Sequence, residues 1–212
     1  MASIETFNEH VAQYEQWYED HPAVYQSEIL ALQEQFLELP QNIRGIEVGL
    51  GTGRFSVPLG IKEGIEPSSE MAKRAMKRGI EIMSGTAERL PYSAMQFDFV
   101  LFVTVCHLKS LKKALKEAHR VLKSDGSVIV GFLDKEQHIA QSYLAKRDQS
   151  NFYKNAVFYS VDRIEQLLME TGFKNLKYNQ TLFGDLKEIN EIQIPKDGTG
   201  EGSFVVVKAL KK

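Results

Sequence analysis

A chain of 212 residues has room for one large domain with a sizeable core, and 43% hydrophobic with 25% charged residues are the proportions of a globular protein, not a disordered or fibrous one. A formal net charge of −2 excludes a whole-chain bias toward nucleic acid or anionic membranes. The single Cys106 excludes an internal disulfide and a cysteine-built zinc site, and no apolar run approaches the roughly 20 residues of a membrane-spanning helix.

The N-terminus, MASIETFNEH, has no basic cluster followed by an apolar stretch, so a cytoplasmic protein without a signal peptide is expected. Residues 1–43 hold eight acidic side chains and no Lys or Arg; the rest of the chain is net basic, 26 against 20. Residues 5–39 read as helix, with Phe7, Val11, Tyr14, Trp17 and Tyr18, then Ile29, Leu32, Phe36 and Leu37, on an apolar face. His21-Pro22 should divide it, because proline cannot continue a helix and disfavours helical geometry at the preceding residue.

From Ile43 the period changes. Short β-rich runs at IRGIEVG, GIKEGIEP, IEIMSG, FDFVLFV, SVIVGFL and FVVVKAL alternate with helical stretches at 68–79, 109–123 and 160–171, the mark of βαβ units around a parallel sheet. Near the C-terminus, NLKYNQTLF, a glycine-rich loop DGTGEG and SFVVVKAL suggest an antiparallel pair closing one edge. Residues 134–159 leave the carboxyl end of the SVIVGFL strand, where open α/β sheets bind ligands, and are placed to cover a site. The expectation is one domain: an N-terminal helical cap (1–40), a cofactor-binding half (41–133), a lid-like insertion (134–159), and a C-terminal helix with its strand pair (160–212).

The stretch GIEVGLGTGRF sets Gly49, Gly51 and Gly53 at alternate positions, baring the backbone to whatever lies against it. A triphosphate loop would need Lys-Ser or Lys-Thr after the last glycine, and Arg54-Phe55 stands there. A dinucleotide fingerprint would place its third glycine where Arg54 stands, and the chain also lacks the paired Tyr and Lys of short-chain dehydrogenases. A third ligand, S-adenosylmethionine (SAM), has no phosphate but offers an ammonium, suited to Glu47, and two ribose hydroxyls, suited to Glu66 at the next strand end.

Five motifs in order carry a resemblance. IEVGLGTGRF, GIEPSSEM, SGTAERLPY, FDFVLFVTVCHL and LKEAHRVLKSDGSVIVGF, from about residue 43 to 132, resemble the class I SAM-dependent methyltransferases, in the broad branch of quinone-biosynthesis and small-molecule enzymes. The resemblance implies a Rossmann-like three-layer α/β/α fold with a mostly parallel seven-stranded sheet and one antiparallel edge strand. It implies SAM as cofactor, held by Glu47, Gly49, Gly51, Gly53, Glu66, Pro67, Thr86, Ala87, Glu88 and Thr104. Thr86 stands where the family often has Asp, and KSDG replaces a frequent Lys-Pro-Gly-Gly turn. His107, at the end of the fourth strand, is the candidate base or pocket residue. Tyr14, Trp17, His138 and Tyr143 are candidates for acceptor or lid contact, with Tyr153 beside them. No metal is expected. A small-molecule acceptor is favoured, since no Asn/Asp-Pro-Pro-Tyr motif follows the fourth strand. The basic helices leave RNA as an alternative acceptor. A non-catalytic SAM-binding module and a dehydrogenase remain the other readings.

Overall fold

The computed structural model describes residues 4–212. Three helices open the chain, α1 (Ile4–Glu9), α2 (Val11–Asp20) and α3 (Pro22–Leu37). The break between α2 and α3 falls at His21, as its proline predicts. Pro22 takes the first turn of α3, where no N–H is needed, and the His21 ring stacks on Trp17 while its Nδ1 lies 2.8 Å from the Trp17 carbonyl. A further break at His10, which apolar periodicity does not show, separates α1 from α2.

Eight strands follow with four helices between them: β1 (Gly45–Val48), β2 (Glu63–Ile65), α4 (Ser69–Lys77), β3 (Glu81–Met83), β4 (Phe97–Val103), α5 (Leu111–Val121), β5 (Leu122–Leu133), α6 (His138–Ala145), α7 (Val161–Glu170), β6 (Phe173–Thr181), β7 (Lys196–Asp197) and β8 (Phe204–Lys211). Helices α4, α5 and α7 each start at a serine, Ser68, Ser110 and Ser160, whose hydroxyl accepts the N–H three residues on. The strands form one sheet in the order β3-β2-β1-β4-β5-β8-β6-β7, parallel from β3 to β5. Strand β8 runs antiparallel to both β5 and β6, so the closing pair is antiparallel as expected. The count is eight instead of seven because the two-residue β7 adds itself to the edge of β6.

The sheet is buried on both faces, which is why its central strands read as unbroken apolar runs. Along β8, Val205, Val207 and Ala209 enter a core with α5 and α7, whereas Phe204 and Val206 enter a second core with α3. Strand β4 divides the same way, Val100 and Phe102 to one side, Leu101 and Val103 to the other. The KSDG segment bulges within β5: the register with β4 jumps between Leu122 and Ser127, and Asp125 takes a left-handed φ of 61°. Among the described residues, no helix is long and apolar enough to cross a membrane.

The segment after the glycines does not complete an α-helix. Residues 51–60 form successive turns, with Val57 N–H donating to Gly53 and Ile61 N–H to Ser56. Pro58 removes the donor that the Arg54 carbonyl would use in a helix, and the Tyr25 hydroxyl of α3 supplies it instead at 2.5 Å.

Candidate functional site

The parallel strands end together at one rim of the sheet, and the glycine loop is stitched there. Gly49 N–H donates to the Ile65 carbonyl at 2.8 Å, joining the end of β1 to the end of β2 and bringing Glu47 and Glu66 to one place. Gly49 (φ 74°) and Gly51 (φ 58°) lie in the left-handed region, which a side chain would strain. Space above Gly49 is open; above Gly51 stands the Tyr14 hydroxyl, 3.1 Å from where a Cβ would sit. Gly53 turns elsewhere, packing against Ile80 and Ala75 beneath α4, so its lack of a side chain serves close packing and not the cavity.

Above this loop lies a cavity of about 540 Å³, within the range of small-ligand pockets. Glu47, Gly49, Gly51, Glu66, Pro67 and Thr104 form part of its wall, as do His107, Tyr14, Trp17 and Tyr143. Thr86, Ala87 and Glu88 do not. Arg89 N–H closes a tight turn on the Thr86 carbonyl, Ala87 is packed in the core, and the Glu88 carboxylate accepts the Ser110 N–H at the start of α5. His138 is also off the wall, exposed at the start of α6 with Nδ1 3.9 Å from Asp185. Among the described residues, no group of acidic, His and Cys side chains is arranged to hold a metal.

Burial sets the protonation of the site. Glu47 is buried and its carboxyl is pushed up to about 8, chiefly by loss of solvent; the Ser56 hydroxyl, donating to it, offsets part of this, and Glu66 adds to it. Glu66 rises to about 6 for the same first reason, moderated by Ser68 N–H and Gly51 N–H, each 2.7 Å from a carboxylate oxygen. Burial pushes the His107 imidazole down to about 4, so it is uncharged at neutral pH. Its ring meets Phe7 edge-on at 5.2 Å and lies over Tyr153 at 5.7 Å, with Nδ1 buried and without a hydrogen-bond partner among the described residues. Thr104, just before it, has φ 59°, an outlier for a β-branched residue and a mark of strain at the strand end.

Several wall residues lie outside the sequence expectations. Phe7, Phe152 and Glu28 share the cavity, and Glu15 with Arg54 and Arg78 fixes its roof. The Glu15 carboxylate accepts from the Thr52 hydroxyl and from both arginines, and thereby ties α2 to the glycine loop. Burial opposes its ionisation, but the hydrogen bonds from Arg78, Thr52 and Arg54 outweigh it and hold it at about 2. The Asn8 side chain of α1 accepts from Ser68 and Glu70 at the start of α4, a second tie of the cap. The arginines and Asn8 carry no motif, whereas Glu28 repeats at helical spacing with the apolar Val24 and Leu32, a signal present in the sequence.

A glycine loop bare toward a cavity, with a carboxylate at each of two adjacent strand ends, fits an adenosyl amino acid, whose ammonium and ribose need acceptors. The comparisons agree. A family model of methyltransferase domains matches residues 46–130. A SAM-dependent methyltransferase of Thermotoga maritima, described as a possible histamine N-methyltransferase, is 44% identical, with 98% of this chain and 99% of that one superposed at a TM-score of 0.93. The chain belongs to the SAM-dependent methyltransferases.

Two further relatives span most of this methyltransferase. An uncharacterized protein of Methanocaldococcus jannaschii is 39% identical over 98% of this chain and all of its own length. One of Mycobacterium tuberculosis is 31% identical over 94% of this chain and 71% of its own. The methyltransferase family model and the Thermotoga maritima structure carry the enzyme class and SAM as methyl donor, without a quinone-biosynthesis branch. They displace the dehydrogenase and the inert binding module as readings.

Proposed function

We propose that this methyltransferase passes the methyl group of SAM to a small-molecule acceptor held in the aromatic part of its cavity. The supporting observation is that one cavity adjoins both the glycine loop with its two carboxylates and a set of Tyr and Phe side chains. Bound SAM supplies an electrophilic methyl on a sulfonium, which an acceptor nucleophile takes, leaving S-adenosylhomocysteine. Glu47 takes the ammonium, Glu66 the ribose hydroxyls, Gly49 lets the ligand lie on bare backbone, Gly51 makes room for the Tyr14 hydroxyl beside it, and Pro67 and Thr104 complete that wall. Thr86, Ala87 and Glu88 support the strand end from behind.

The chain's own task is alignment and exclusion of water. Phe7 and Tyr153 flank His107, with Phe152 packed on Phe7, and His107 acts as an uncharged pocket residue able to orient the acceptor. Residues 134–159 form the cover. They are clamped at their root, where Lys135 N–H donates to the Tyr159 carbonyl at 3.0 Å. Two assays test this reading. Calorimetry with S-adenosylhomocysteine, with NADH in parallel, should show binding of the adenosyl ligand alone. Incubation with methyl-labelled SAM and separated cell metabolites and RNA should label the small-molecule fraction; label confined to RNA, with the steep salt dependence of phosphate binding, overturns the acceptor class.

A further inference from the structure

Three carboxylates line the cavity, and recognition of the methyl donor accounts for two. Glu47 and Glu66 stand at neighbouring strand ends, accept hydrogen bonds from the chain, and act on one another. Glu28 comes from α3 and differs on each count. It is 7% exposed, lines the cavity, and its carboxyl is perturbed by burial alone, without a hydrogen bond or an ion pair from any described residue. The nearby arginines are committed elsewhere, Arg54 and Arg78 to Glu15. Lys146, the one Lys or Arg among the described wall residues, sits exposed at the rim.

An unpartnered buried carboxyl is costly to a fold and is kept where a ligand meets it. The surroundings say what kind of ligand. The charge of Glu28 is felt by Tyr18, Tyr143 and Tyr153. Tyr143 and Tyr153 stack with ring centroids 4.3 Å apart, and Tyr18 meets Trp17 edge-on at 5.0 Å. A wall of aromatic rings around a carboxylate excludes water and so strengthens its pairing with an organic cation. A neutral alcohol in the same place offers the carboxyl a hydrogen bond but no charge, and an acid meets a like charge once Glu28 ionises.

We infer that Glu28 anchors the acceptor, and that the acceptor carries an organic ammonium group seated against this carboxylate in the aromatic part of the cavity. This rests on the reading of the cavity as the methyltransfer site and adds to it the acceptor's chemical class. The group bound by Glu28 is a recognition handle, distinct from the contacts of Glu47 and Glu66.

The test uses the full chain saturated with S-adenosylhomocysteine and a calorimetric panel of alkyl and arylalkyl amines, each paired with the alcohol and the carboxylate of the same skeleton. Amines should bind at least about tenfold more tightly than their partners, and Glu28→Gln should remove at least about tenfold of that affinity, the scale of one charged hydrogen bond. S-adenosylhomocysteine affinity should survive the substitution, and the melting temperature should hold or rise. The proposal falls if no amine binds the wild type, if alcohols or carboxylates bind as well as amines, or if Glu28→Gln leaves amine affinity intact. A lowered melting temperature in that variant also overturns it, by making Glu28 a part of the scaffold. Failure of the wild type to bind S-adenosylhomocysteine strikes the methyltransfer reading instead, and amine selectivity is then judged on Glu28→Gln without the nucleoside.

Discussion

His107 keeps an uncharged ring at neutral pH, and this decides what it can contribute. A base held near 4 is poorly matched to proton abstraction at pH 7, whereas a neutral imidazole whose buried Nδ1 has no hydrogen-bond partner among the described residues can still accept one. His107→Asn should therefore lower kcat by less than about tenfold, since a general base contributes about 10²–10⁴. The rate between pH 6 and 8 should show no inflection that disappears in the variant; one that did would restore the base. Glu66 has a heavier role, because the carboxylate expected at the ribose also holds the Gly51 and Ser68 N–H groups in place. Glu66→Ala should cost S-adenosylhomocysteine binding about 1.5–3 kcal/mol. Calorimetry reads this directly, and unchanged affinity would detach Glu66 from the cofactor.

Helix α2 illustrates how an element's position depends on one side chain. Its apolar face packs on the cavity, yet its place over the glycine loop is set by Glu15, buried beneath Thr52, Arg54 and Arg78. Glu15→Ala leaves two arginines without their shared partner and should destabilise the protein by about 2–4 kcal/mol, readable as a shift of the urea midpoint at constant slope. S-adenosylhomocysteine affinity should fall with it, because Thr52 lies between Gly51 and Gly53. The strands, the serine-capped helices and the glycine loop were legible in the sequence because each rests on local periodicity or backbone freedom. The division of α1 from α2 at His10 was not, and Pro58 inside RFSVPLG announces only a shortened helix over 51–60 and not what replaces it, because both depend on partners far away in the chain. Tyr25 and Arg54, 29 residues apart, show why: the hydroxyl that replaces the missing Pro58 donor comes from another helix. Thr86, Ala87 and Glu88 show the converse, a recognisable motif whose side chains here hold a turn, a core position and the start of α5.

At the scale of the whole molecule, the cavity makes the protein's stability depend on pH in an unusual direction. Glu28 and Glu47 are pushed up to about 8 and Glu66 to about 6, all by burial, against about 4.3 for an unfolded glutamate. Between those values the folded chain holds protons that the unfolded chain has released. Their contribution is therefore complete below the unfolded value and drains away as pH rises through the folded ones. Glu15, held at about 2, works oppositely: its contribution is present above the unfolded value and is lost as pH falls toward 2. The ligand-free protein should accordingly lose stability as pH rises from about 5 to 8, since each proton held by the folded chain alone costs about 1.4 kcal/mol per pH unit. Thermal melts across this range measure the slope, and Glu28→Gln should flatten it by removing one of the three groups. Bound S-adenosylhomocysteine should flatten it too, because its ammonium gives Glu47 a reason to ionise. A melting temperature that climbs from pH 6 to 8.5 without ligand would mean that these carboxyls are already ionised and paired, and that the cavity is not the dry, acid-lined site on which recognition of a cation depends.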